Sequence, residues 1–318
     1  VMNRPNTGLD LYANTSFLSQ IVKSLGGAPP LKVGGSYPRY RNFVKEGYAP
    51  GALFGAKLPG ACPAGRTTTL GGGVCLQQGQ LPFDTNRDGV PDTEAQVLAF
   101  LAAAPASINA IDPMQADDDG NGDRLDHYLG KPTPDYQGSF GGSLRLFKNW
   151  MINTNFEYKG GRYTVTDLTG AFRRANPSNG GNTQERANVE AAMLNPASSA
   201  QQRLDAAKKW AYELRGLTPY DGMNQNFAGD FVRWRELSVT YNTPQRFAAN
   251  IGAQDMSITL AARNLKLWTK YPGTDPEVNV YSRNAAGQGG TDQNFGEAID
   301  AFGFPLPMRF SLAVRVGF

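Results

Sequence analysis

The sequence predicts an all-β chain, a wall of a transmembrane antiparallel β-barrel with long loops that carry short helices. Three observations predict it. The last nine residues, FSLAVRVGF, place Phe310, Leu312, Val314, Val316 and Phe318 on one face and Ser311, Ala313, Arg315 and Gly317 on the other. An aromatic closes each end of the apolar face, and about 9–11 residues of this kind cross an outer membrane as one strand. The composition agrees: 19% charged residues, with 37 Gly, 21 Pro, 17 Phe and 13 Tyr in 318 residues, favours short strands and turns. Finally, the alternating segments are separated by polar excursions longer than a compact soluble domain carries.

Taken in order, GLDLYANTSFLSQIV (Gly8 to Val22) is the first strand candidate. Residues 59–128 are rich in Gly, Pro and Asp, and EAQVLAFLAAA within them has a helical pattern. SFGGSLRLF sets Phe140, Leu144 and Leu146 on one face. Lys148-Asn149 then makes a tight turn into WMINTNFEY, where Trp150, Ile152, Thr154, Phe156 and Tyr158 share a face. RYTVTDL begins a third strand after Gly160-Gly161. Residues 171–226 lead into a helix, SAQQRLDAAKKWAYELRG, with Leu204, Ala207, Trp210, Ala211 and Leu214 on one side and Gly216 as its stop. In FVRWRELSVTY, Leu237, Val239 and Tyr241 share a face with Arg233 and Arg235, so the strand must leave the apolar layer or contain a bulge. Met256, Ile258, Leu260 and Ala262 mark another strand.

Several function classes are excluded. A net charge of +3 on this length is no nucleic-acid footprint. A single histidine, His127, rules out multi-histidine zinc sites and reads as a solvated loop residue beside Asp126. No carboxylate pair sits in surroundings that would shift a pKa, and no phosphate-loop glycine pattern is present, so no enzyme is expected. The longest apolar run, Val97 to Ala104, is too short for a spanning helix of about 20 residues. The mean hydropathy of −0.42 therefore argues only against helical spans. Trp210, Trp234 and Trp268 suit interface anchoring and loop packing better than ligand stacking.

Cys62 and Cys75 flank a Gly/Thr-rich stretch and are disulfide candidates; closing so short a loop contributes about 3 kcal/mol in an oxidising compartment. Two unpaired thiols are the alternative. DTNRDGVPD sets Asp84, Asn86, Asp88 and Asp92 at positions 1, 3, 5 and 9 with Gly89 at 6, the oxygen pattern that wraps calcium. Ala95 stands where an EF-hand has its Glu, and the nonapeptide is more similar to a thrombospondin type 3 repeat. A second cluster offers Asp117, Asp119, Asn121 and Asp123 with imperfect spacing. Both also read as ordinary solvated turns, and any calcium is structural; no other cofactor is expected.

Three ordered blocks near the C-terminus carry a family resemblance. FVRWRELSVTYNTP is similar to a strand of the kind FxRLxxxxLxYxLP. RNLKLWTKYPGTDPEV, with Arg263, Asn264, Leu265, Trp268, Tyr271, Gly273, Asp275, Pro276 and Glu277, is similar to (R/Q)NLxxWTxYxGxDPEV. FPLPMRFSLAVRVGF is similar to a closing FPxPRxxxxGxxxxF strand. Upstream, EGYAPGALFGAKL and DRLDHYLGKPTPDYQGSF match less sharply. Together they resemble the C-terminal portion of SusC/RagA-type TonB-linked outer-membrane proteins.

That resemblance implies the last eight to ten strands of a barrel of about 22, plugged by an N-terminal domain. The plug, TonB-contacting segment and signal peptide are expected to lie outside residues 1–318. It implies uptake of oligosaccharides or peptides, with a SusD-like surface lipoprotein and the TonB complex as partners and membrane lipid around the wall. Phe310, Leu312, Val314, Val316 and Phe318 would then form the signal read during barrel assembly. The alternative is a secreted soluble calcium-binding β-sandwich or adhesion module.

Overall fold

The computed structural model describes residues 2–4, 6–33, 41–65, 74–103, 111–117, 121–175, 183–214, 225–278 and 298–318. The first strands are β1 (Met2–Arg4), β2 (Thr7–Phe17), β3 (Leu31–Val33), β4 (Asn42–Val44) and β5 (Ala52–Gly55). Helix α1 (Glu94–Ala102) precedes β6 (His127–Gly130), β7 (Tyr136–Leu146), β8 (Trp150–Gly160) and β9 (Thr164–Asp167). Helices α2 (Leu168–Ala175), α3 (Gln184–Leu194) and α4 (Ala200–Lys209) follow, the last running into a π-helical turn, Trp210–Leu214. The chain then forms β10 (Asn226–Ala228), β11 (Phe231–Asn242), α5 (Gln245–Ala249), β12 (Asp255–Thr269), β13 (Ile299–Asp300) and β14 (Arg309–Gly317).

Seven strands make one antiparallel sheet, β1-β2-β7-β8-β11-β12-β14, and among the described residues it is open, not a closed barrel. Its register lines up the predicted apolar positions. Leu144 pairs Leu9 and Ile152, Ile152 pairs Val239, Val239 pairs Leu260, and Leu260 pairs Leu312. The opposite face carries Asp10, Ser143, Asn153, Ser238, Ala261 and Ser311 in one row. Polar side chains bond across it: Tyr12 Oη donates to Asn155 Oδ1 at 3.0 Å, and the Thr240 and Thr259 hydroxyls lie 2.9 Å apart.

The apolar face is uncovered. Leu11, Phe310 and Leu312 are 72%, 70% and 69% exposed. Aromatics border it at both ends: Trp150 and Tyr241 meet at 4.7 Å at one, while Phe140, Phe156 and Trp234 stack near Tyr158 and Trp268 at the other. From Trp150 to Tyr158 the strand spans on the order of 25 Å at about 3.3 Å per residue.

Of the two expected alternatives for FVRWRELSVTY, the bulge is present. Arg235 is an extra residue against β8, where Trp234 pairs Phe156 but Glu236 pairs Asn155. The shift turns Val232 and Trp234 to the apolar face and sends Arg233 to the other. On β12 the irregularity continues at Asn264, whose φ of 53° is a conformation Asn tolerates better than most residues.

Connections follow one rule. Phe147–Asn149 joins β7 to β8, and 243–254 joins β11 to β12, both at the same end. The excursions 18–135, 161–230 and 270–308 all leave from the opposite end. The first closes at its neck, where Leu18 N–H donates to the Asp135 carbonyl at 2.9 Å. Small sheets sew the excursions together: β3-β4-β5-β6 within the first, and β10-β9-β13 between the second and third. The largest buried core lies here and not on the main sheet. Val97 and Leu101 of α1 pack with Phe83, Met193, Leu204, Ala207, Trp210 and Ala211.

Several expectations change. Among the described residues the main sheet has seven strands, against the eight to ten expected, and the shorter strands pair among themselves in the excursions. RYTVTDL does begin a strand, but outside the main sheet: β9 pairs β10 and β13, and the chain turns helical at Leu168. The β7–β8 turn centres on Phe147 and Lys148, with φ of 50° and 67°, one residue earlier than expected. His127 is not solvated: it sits in β6 opposite Gly55, its side chain 9% exposed. The helical expectations hold for α1 and α4, while Gly216 lies outside the described residues.

Candidate functional site

The three C-terminal blocks, read separately in the sequence, converge at the rim where the long excursions begin. β11 brings Arg233 and Arg235, the segment after β12 brings Asp275 and Glu277, and β8 brings Glu157 and Lys159. Arg233 donates to Asp275 Oδ1, and both side chains are almost fully buried. Its Nε also lies 2.8 Å from Glu277 Oε2, an ion pair without hydrogen-bond alignment. Arg235 bridges Glu157 at 2.6 Å and both Glu277 oxygens at 2.7 Å. Asp275 further accepts from Glu277 N–H at 3.0 Å and Leu306 N–H at 3.4 Å.

Each motif residue acquires a physical task. Asn264, in its left-handed conformation, donates from Nδ2 to the Pro307 carbonyl at 3.1 Å, tying β12 to the approach of β14. Arg263 pairs Glu236 at 3.1 Å in the open, which contributes little. Leu265 is half-buried beside the bulge, and Trp268 stands on the outer face with Lys266 Nζ 5.3 Å from its ring. Tyr271 is buried and donates to Asp300 Oδ2 at 3.1 Å; a Cβ at Gly273 would overlap its ring. Pro276 lies in the turn closed by Val278 N–H to the Asp275 carbonyl at 3.1 Å. Burial raises the Asp300 pKa, opposed by hydrogen bonds from Thr169 and Tyr271 and reinforced by Asp167 and Asp275. The fold therefore favours protonated Asp300, and this patch loses stability as pH rises through the raised value.

The Phe310, Leu312, Val314 and Val316 set lies on the outer face of β14, and Phe318 follows it, 82% exposed. Cys62 and Cys75 are bridged, their Cα atoms 4.8 Å apart, and Cys62 N–H donates to the Leu76 carbonyl at 2.8 Å. Cys75 is buried, so this stretch is less open than its composition suggests.

In the first acidic loop, Asp84 accepts from Asp88 N–H and Gly89 N–H, both at 3.0 Å. Asn86 Oδ1 and Asp88 Oδ1 accept from Asp88 N–H and Val90 N–H at 3.2 and 2.8 Å. Asp92 Oδ2 accepts from Thr85 N–H and Oγ1 at 2.6 and 2.7 Å. In the second, Asp117 accepts from Gly122 N–H at 3.1 Å, and Asn121 and Asp123 close turns onto Asp123 N–H and Leu125 N–H at 2.6 and 2.9 Å. Asp119 lies outside the described residues. Among the described residues, no three Asp, Glu, His or Cys side chains are drawn together as a metal-holding group.

The rim network was missed in the sequence because its members are far apart in the chain. The one signal was Arg233 and Arg235, charges on a strand otherwise apolar on that parity. Replacing Asp275 by Ala is expected to strand Arg233 in a buried site and cost about 3–5 kcal/mol, read as a lower unfolding midpoint in detergent; Arg263→Ala should shift it little. Intact mass without reductant should be two hydrogens below the reduced mass, and equal masses would remove the Cys62–Cys75 bridge.

No family model matches the chain. A curated relative, TonB-dependent receptor P3 of Formosa agariphila, is 31% identical over 213 residues, 64% of this chain and 18% of the relative. Among solved structures, the RagAB peptide importer in its closed-closed state covers the whole chain at a TM-score of 0.56 and 17% identity, using 28% of that protein's chain. The RagAB peptide transporter does so at 0.51 and 17%, again using 28%. At that identity the structures speak for fold alone, and the chain spans under a fifth of the curated relative's length. In sequence the chain resembles a TonB-dependent receptor, and in fold it resembles part of the RagAB importer.

Proposed function

We propose that the chain forms the C-terminal part of the wall and outer rim of a TonB-dependent importer in a Gram-negative outer membrane. The observation that carries this reading is the two-faced sheet. Its apolar, aromatic-bordered face suits lipid, its polar face suits a lumen, and every long connection leaves from one end. A soluble β-sandwich would cover that apolar face with a second sheet, and none covers it among the described residues. In the complete protein the two sheet edges pair with further strands, closing a barrel of about 22 strands around a plug.

The proposed role is transport without catalysis. An oligosaccharide or peptide binds among the outer loops and plug, a SusD-like lipoprotein covers the rim, and the TonB complex pulls the plug to open a path along the polar face. Similarity to a TonB-dependent receptor and to the fold of a peptide importer supports this assignment. The excursions stitched together at the rim offer the surface for lipoprotein and ligand.

Two experiments test it on the complete protein. Leu260→Arg, facing out near mid-strand, should cost about 2–4 kcal/mol of stability in lipid, whereas Ser311→Arg on the polar face should cost far less. Equal effects would remove the lipid-facing assignment. Deleting Phe318 should abolish outer-membrane assembly of the complete protein, and normal surface levels would refute the terminal strand as its signal.

A further inference from the structure

We infer that the Asp84–Asp92 loop is a calcium site that locks the outer helical domain, a role beyond the transport reading. The decisive group is Asp92. Its carboxylate is 1% exposed, Oδ2 is held by Thr85 N–H and Oγ1 inside the loop, and Oδ1 has no hydrogen-bond partner. A carboxylate oxygen buried without a partner is costly, and a cation within the loop would satisfy it.

The rest of the loop supplies the remaining oxygens. Asp84, Asn86 and Asp88 occupy ligand positions 1, 3 and 5, and Val90 supplies a backbone carbonyl at 7. Gly89, with φ of 82°, provides the sharp turn at 6, and Arg87 also takes a positive φ of 60°. Among the described residues the three carboxylates are not drawn together, and Asp84 and Asp88 accept hydrogen bonds within the loop, so the proposed site requires both to reorient toward Asp92 when the ion binds. All-oxygen ligation with three carboxylates selects a hard divalent cation, and the flexible oxygen set favours calcium over magnesium.

The location gives the ion its task. Asp92 N–H donates to the Phe83 carbonyl at 2.7 Å, and Leu81 N–H donates to the Asp92 carbonyl at 2.7 Å. The next residue, Thr93, caps α1 through a reciprocal bond pair with Gln96. Phe83, Val97 and Leu101 then enter the core shared with α3, α4 and Trp210. A cation at Asp92 therefore fixes the point where the first excursion packs on the second.

Equilibrium dialysis of the complete protein in detergent against calcium chloride tests this. The Asp84→Asn and Asp88→Asn pair keeps the hydrogen-bond acceptors but removes two charges; Asp92→Asn removes the buried one. Each variant is expected to bind one calcium fewer per chain than the parent, and calcium should slow tryptic cleavage after Arg87 about tenfold in the parent alone. An unchanged number of bound ions in the variants, or no calcium bound by the parent, would overturn the site. Tryptic patterns outside the loop that match the parent's show that the variants fold.

Discussion

Keeping a period of two in register across seven antiparallel strands is the constraint on which the remaining structure depends, because a one-residue slip exchanges the two faces. β7, β8 and the lower half of β11 meet it by simple alternation. The upper half of β11 does not, since Arg233 and Arg235 fall on the apolar parity. The extra residue at Arg235 resolves the conflict by shifting register, so that Trp234 joins Phe156 and Arg233 turns to the opposite side. The bulge then creates the rim. Arg233 is delivered inward at the height where Asp275 and Glu277 return from the end of β12.

The molecule consequently reverses the usual arrangement of core and surface. Its largest apolar face is uncovered, while its buried core sits among the polar excursions, where Trp210 and Phe83 anchor helices from two separate loops. In the proposed reading, a membrane as solvent accounts for the first half of this inversion. The second half follows from length: excursions this long need hydrophobic cores, a disulfide and shared strands of their own to hold one conformation. Parallel pairing of β13 with β9 shows how far this goes, since it ties chain segments from different loops.

The two-faced main sheet was legible in the sequence and the rim was not. Alternation is local, so Phe310 to Phe318, Trp150 to Tyr158 and Met256 to Ala262 announced their faces without a partner. Even the irregularity in β11 was foreseen, with a bulge as one of two ways to resolve it, because two charges on an apolar parity are a local contradiction. TVTD formed its expected strand but not in the main sheet, because four β-prone residues do not say which sheet they join. His127 was misplaced likewise, since its neighbours looked polar while its pairing with Gly55 came from distant sequence.

By itself, the sequence determined the strand faces, the alternation of short turns with long excursions, and the α1 and α4 helices, because each rests on periods and caps within a few residues. Tertiary structure alone decided that Arg233 pairs with Asp275 and Tyr271 bonds to Asp300 in buried sites, that Asn264 ties β12 to β14, and that Asp92 is buried with one oxygen unpartnered. Those facts depend on which distant segments share a site, and burial and pairing across such separations are set only when the sheet fixes its register.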